Sequence, residues 1–209
     1  VSKNRIVSFT IALVAFAFIV YVFVENISDD GFQFTSGGRE KVNDINQMKT
    51  SSIPNGEIGL QQGMYAPDFT LPLWGTDEEK SLSSFKGQIV VLNLWASWCP
   101  PCRDEMPDLI KLSKEYKDQG VQVLGMNMAT FESSEEVIKQ FIEEYNISFP
   151  NFLDQPIDTT NQRGVIESLY QVRSIPVTYI LDEEGRIVIP IRGKVNYEML
   201  ESELKKILD

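Results

Sequence analysis

The chain has 209 residues, a net charge of −11 and no histidine. The charge argues against a nucleic-acid footprint, which needs a basic patch. The missing imidazole removes histidine acid–base catalysis, histidine metal ligands and the C-x-x-C-H haem signature. The length allows one large domain plus appendages.

From Ile6 to Val24 the sequence runs IVSFTIALVAFAFIVYVFV, uncharged throughout, with Ser8 and Thr10 as its only polar members. At about 1.5 Å per residue it nearly spans a hydrocarbon core of roughly 30 Å. Lys3 and Arg5 precede it, while Glu25, Asp29 and Asp30 follow, which predicts a cytoplasmic N-terminus with the remainder outside. A cleaved signal peptide is the rival, but Ala15-x-Ala17 lies inside the apolar run and not after it. Residues 1–24 are therefore expected to be a transmembrane signal-anchor. Residues 25–62, rich in Ser, Asn, Asp, Gly and Gln, have too little apolar surface to offset ordering entropy and are expected to be a stalk.

A domain over 63–209 follows. Ile89 to Trp95, IVVLNLW, is a nearly continuous apolar run, as in a strand buried on both faces. Beyond Cys99-Pro100-Pro101-Cys102, residues Met106, Leu109, Ile110, Leu112 and Tyr116 fall near one helical stripe that Gly120 ends. Val121 to Met128 reads as a strand. A helix is predicted over about 134–145, with Ser133 and Glu136 spaced as a capping box and Val137, Phe141 and Ile142 inward. A looser segment leads to a second helical pattern ending near Tyr170. Val177–Leu181 is a strand, Asp182 to Gly185 a turn, and Arg186–Ile191 returns as a hairpin. The last helix, YEMLESELKKIL, puts Leu200, Leu204, Ile207 and Leu208 on one face. Crossovers first and a hairpin last give a mixed sheet flanked by helices, an α/β class.

Cys99 and Cys102 are the only cysteines. Two thiols are too few for a structural zinc site, and a disulfide across two residues closes too small a loop to be a useful staple. Redox chemistry remains, and no metal or cofactor is expected. A helix beginning after Cys99 would aim its unpaired N–H groups at that sulfur and favour the reactive thiolate. Prolines in the first turn cost little, since those amides have no intrahelical partner. Cys99 is the expected nucleophile and Cys102 the resolving thiol. Glu105, one turn beyond Cys102, is the candidate proton acceptor. Trp98 is read as shielding the sulfurs or touching substrate, with Trp95 flanking the site from the strand.

WCPPC on a strand-to-helix turn, Pro107 beyond it, and Ile175-Pro176-Val177-Thr178 before a strand resemble the thioredoxin fold. More narrowly, Ala66-Pro67-Asp68-Phe69, Leu82-Ser83-Ser84-Phe85-Lys86-Gly87 and VVLNLWASWCPPCRDEMP resemble the membrane-anchored ResA/TlpA/StoA-like branch. The resemblance implies an N-terminal hairpin extension, a central helical insertion around 134–145, and a glutamate at Glu105 that tunes the thiols. It also implies a cis bond between Ile175 and Pro176, with the Ile175 backbone pairing to an extended substrate. Thioredoxins proper carry a buried aspartate where this chain has Asn93, which moves the proton-relay role towards Glu105.

The activity implied is an extracytoplasmic thiol–disulfide oxidoreductase. Its implied client is apocytochrome c, and its implied electron source a membrane-embedded CcdA/DsbD-like dithiol donor. A spore-envelope client, a disulfide-forming oxidase, and a non-catalytic thiol- or copper-binding module stay open beside it. A thiol peroxidase ranks low, because Ala96 stands where those enzymes carry threonine.

Overall fold

The computed structural model describes residues 56–208. The anchor expected over 1–24 and the stalk up to residue 55 lie outside that range. Among the described residues no helix is long and apolar enough to cross a membrane. Residues 57–62, assigned to the stalk from composition, are tied into the domain: the Tyr65 N–H donates to the Glu57 carbonyl and the Gly59 N–H to the Tyr65 carbonyl, both at 3.0 Å.

Strands β1 (Thr70–Pro72) and β2 (Glu79–Ser81) form the antiparallel extension. The main sheet holds β3 (Ile89–Trp95), β4 (Val121–Asn127), β5 (Asn151–Leu153), β6 (Val177–Leu181) and β7 (Ile187–Arg192). Its order is β5-β4-β3-β6-β7, with β3, β4 and β5 mutually parallel, β6 antiparallel to β3, and β7 antiparallel to β6. The helices are α1 (Pro100–Tyr116), α2 (Glu135–Tyr145), α3 (Val165–Leu169) and α4 (Tyr197–Leu208).

Strand β3 is buried at every position, and its alternation feeds two cores. Ile89, Val91 and Trp95 pack with Met106, Leu109 and Leu112 of α1, Phe141 of α2, and Leu200 and Leu204 of α4. Val90, Leu92 and Leu94 face the opposite way, onto Phe69 and Leu71 of the extension, Phe152, and Ile166 with Tyr170 at α3. Such two-sided burial is why β3 reads as an unbroken apolar run. Asn93 shares the parity of Val91 and Trp95, so it points towards α1.

Four local expectations are corrected. Asn151–Leu153, within the segment expected to be loose, forms strand β5; three residues after Pro150 are too few to show a period. Helix α2 is capped at Ser134 and not Ser133, no side chain bonds the cap, and the Ser133–Glu136 box does not form. Ile138 is the buried partner of Phe141, with Val137 and Ile142 only half-buried. In α4, Leu208 is exposed at the last turn and Tyr197 takes a core place at the first.

Gly125 of β4 lies between Asn93 and Asn151 in the sheet register. A β-carbon there would collide with the Asn151 side-chain amide, which accepts the Trp95 indole N–H at 3.0 Å. Only glycine keeps that buried hydrogen bond and the sheet spacing together.

Candidate active site

The site begins where β3 stops. Ala96, Ser97 and Trp98 turn the chain, and Cys99 becomes the N-cap of α1 in extended backbone, with Pro100 and Pro101 filling the first two helical positions. The sulfur of Cys99 accepts the Cys102 N–H at 3.3 Å, and the two cysteines are joined as a disulfide. Cys99 is 3% exposed and Cys102 fully buried, so only Cys99 presents any surface to an incoming sulfur. Negative charge developing on that sulfur meets the free N–H end of a 17-residue helix.

One turn along the same buried stripe, Glu105 is wholly enclosed. Its Oε1 accepts Asn93 Nδ2 at 2.7 Å and its Oε2 accepts the Val195 N–H at 2.9 Å. Burial pushes its pKa up to about 7, against the opposing pull of those two hydrogen bonds and of the Lys194 charge. A carboxyl so placed takes or gives a proton near neutrality, on the face of α1 that carries Cys102. Asn93 also donates to Thr178 Oγ1 at 3.0 Å, across the β3–β6 register that pairs the two residues.

Asn93 is therefore, after the Val195 N–H, the second hydrogen-bond donor that favours the ionised form of Glu105 against its burial. In Asn93→Ala the carboxylate loses its shortest hydrogen bond, and Glu105 is expected to titrate above 7. The midpoint of a carboxyl-specific spectroscopic titration of wild type against variant measures this. An unchanged midpoint would mean that the Asn93 bond contributes nothing, leaving burial, the Val195 N–H and Lys194 to set the proton affinity.

The Ile175–Pro176 bond is cis. Ile175 is half-buried against the core that contains both cysteines, and the Pro176 carbonyl is held by the Gly193 N–H at 2.9 Å. Trp98 is 56% exposed and donates its indole N–H to the Phe131 carbonyl at 3.1 Å. Trp95 does not flank the surface. It is fully buried and stacks on Phe141 at 4.7 Å between centroids, because its strand position points into the core.

Sequence reasoning missed two partners of the site. Glu132 accepts the Ser97 N–H and Ser97 Oγ, both at 2.6 Å, and Asn127 Nδ2 at 2.9 Å. Val195 reaches Glu105 with a backbone amide, 90 residues along the chain. No local pattern announces either, since both act across long sequence separations.

The sequence pattern of the AhpC/TSA family matches residues 63–189. The chain belongs to the AhpC/TSA family. Among AhpC/TSA relatives, it is 40% identical over 148 residues to the thioredoxin-like protein YneN of Bacillus subtilis, covering 71% of this chain and 81% of that one. It is 31% identical over 209 residues to the thiol-disulfide oxidoreductase ResA of Oceanobacillus iheyensis, covering 98% of this chain and 90% of the relative. The crystal structure of StoA from Bacillus subtilis superposes with a TM-score of 0.55 at 26% identity, over 66% of this chain and 96% of that structure. This AhpC/TSA member has a thioredoxin-like fold and is a thiol–disulfide oxidoreductase with a CPPC redox centre.

Proposed function

We propose that the enzyme is a membrane-tethered reductase, held by residues 1–24 with its N-terminus in the cytoplasm and its thioredoxin-like domain outside. It reduces disulfides of a specific protein client, and oxidised apocytochrome c is the client that the sequence resemblance implies. The observation that carries the reductive direction is Glu105 buried under the CPPC turn. A carboxylate on the face of α1 that carries Cys102 disfavours a Cys102 thiolate. We take this to outweigh the pull of the helix N-terminus on Cys99, so that the dithiol is the costlier state and gives up its electrons readily.

The cycle balances. The Cys99 thiolate attacks one sulfur of the client disulfide, forming a mixed disulfide and releasing one client thiolate. Cys102 passes its proton to the Glu105 carboxylate and attacks the Cys99 sulfur, which frees the second client thiolate and closes Cys99–Cys102. Two electrons have moved to the client. A membrane-embedded dithiol donor of the CcdA/DsbD type then supplies two further electrons from the cytoplasmic side, reopening Cys99–Cys102 as its own dithiol closes to a disulfide.

The reduction potential of the chain tests the direction. A value near or below about −270 mV is expected, whereas one near about −120 mV would make the protein an oxidant and overturn the reading. Location is tested separately, by labelling Cys99 in intact reduced cells with a membrane-impermeant maleimide. Absence of labelling until the cells are lysed would place the domain inside.

A further inference from the structure

Ser97, in the turn between β3 and Cys99, is held at every polar atom it has. Its N–H and Oγ donate to Glu132, both at 2.6 Å, and its carbonyl accepts Nη1 of Arg103 at 3.3 Å. Arg103 belongs to α1, immediately after Cys102, so the helix that starts at Cys99 reaches back to the turn before it. The Arg103 N–H also donates to the Cys99 carbonyl at 3.1 Å. One residue thus holds Cys99 with its main chain and Ser97 with its side chain.

The guanidinium is kept in place by α2. Its Nη2 lies 3.0 and 3.2 Å from the two Glu144 oxygens, and its centre is 5.2 Å from the Phe141 ring and 5.4 Å from that of Tyr145. Those two rings stack on each other at 4.6 Å between centroids, and Phe141 stacks in turn on Trp95. A lone ion pair at the surface contributes little. Arg103 instead joins an ion pair, two ring faces and a main-chain acceptor, which the rigid planar fork of arginine can serve together.

Position matters here because the pull of a helix N-terminus on a charge fades within the first turn. The Cys99 sulfur faces the Cys102 N–H at 3.3 Å, and a swing of the turn would carry it away.

We propose that Arg103 is a positioning residue for the redox pair, and that the helical insertion α2 acts on the Cys99 sulfur through it. Glu144, Phe141 and Tyr145 fix the guanidinium, and the guanidinium fixes the Ser97 carbonyl. The turn so held seats the sulfur against the first N–H groups of α1. Without the anchor the turn is freed and the thiolate loses part of that stabilisation. A charge effect alone has the opposite sign. Removing the Glu144 carboxylate would leave Arg103 uncompensated, which favours the thiolate.

The test is the pH midpoint of Cys99 alkylation by iodoacetamide in the reduced full chain, compared between wild type and single variants. Glu105, Glu132, Asp104 and Lys194 are common to all of them and drop out of the comparison. Glu144→Ala is the deciding variant, because its side chain is 59% exposed and its loss should leave the fold intact. Its midpoint is expected to rise by roughly half a pH unit, the scale of a helix-terminus effect. Arg103→Ala should raise it at least as far. Glu143→Ala removes the same charge from the neighbouring exposed residue and should not raise it. A midpoint that falls or stays in Glu144→Ala, stays in Arg103→Ala, or rises equally in Glu143→Ala overturns the positioning role. Alkylation needs no client, so the outcome stands apart from the direction of electron flow proposed above.

Discussion

In Cys102→Ser, a client disulfide is attacked but never released. The expected result is a covalent enzyme–client adduct through Cys99, seen on a non-reducing gel and dissolved by dithiothreitol. In Cys99→Ser no adduct forms, and turnover falls by at least about 1,000-fold, as when the nucleophile of a catalytic unit is removed. The asymmetry follows from placement. Cys99 sits at the helix mouth with a trace of exposed surface, while Cys102 is sealed one turn deeper. Adducts through Cys102 in the Cys99→Ser chain would reverse the assignment.

The second large effect belongs to Glu105, whose pKa is about 7 in the fold against 4.5 as a free side chain. Because the folded carboxyl keeps its proton longer than the unfolded one, the associated stability is fully present below pH 4.5. It is lost as pH rises through about 7. The difference corresponds to roughly 3 kcal/mol between the two limits. Glu105→Gln removes this dependence and keeps the shape. Urea midpoints of the oxidised chain should therefore separate steadily between wild type and variant as pH climbs, the variant becoming relatively more stable. Asp154, also raised by burial, is common to both chains and drops out of the comparison. Parallel stability curves from pH 4 to 8 would show that Glu105 is not the titrating group. The same substitution should flatten the rise of the thiol-exchange rate near neutrality, since the acceptor for the Cys102 proton is gone.

The parts of the molecule that could be read in advance are those whose cause is local. A continuous apolar run made β3 visible, and the hydrophobic stripe with Gly120 beyond it made α1 visible; Gly120 does adopt positive φ, at 80°. The cysteines were legible because the composition leaves them no other chemistry. Glu105 was placed beside them by spacing and resemblance, yet its burial was not readable, because burial is decided by Val195 and Asn93 from elsewhere in the chain. The capping box at Ser133 failed for the converse reason. A motif of four residues says what a turn can do, while the packing of Ile138 and Phe141 decides where the helix begins. Glu132 had no local signature at all.

The bond from Val195 to Glu105 has a bearing on how the protein is made. Val195, which donates to Glu105, and Thr178, which accepts from Asn93, both follow the redox pair by more than 70 residues. While a ribosome is still extending the chain, Cys99 and Cys102 emerge long before either support exists. Until β6 and the segment after β7 have docked, they are two ordinary thiols near a flexible helix end, without the enclosed carboxyl beneath them. Enclosure of Glu105 beneath the redox pair therefore waits on the segment that carries Val195, and a chain halted before it would lack the carboxyl whose pKa is raised to about 7.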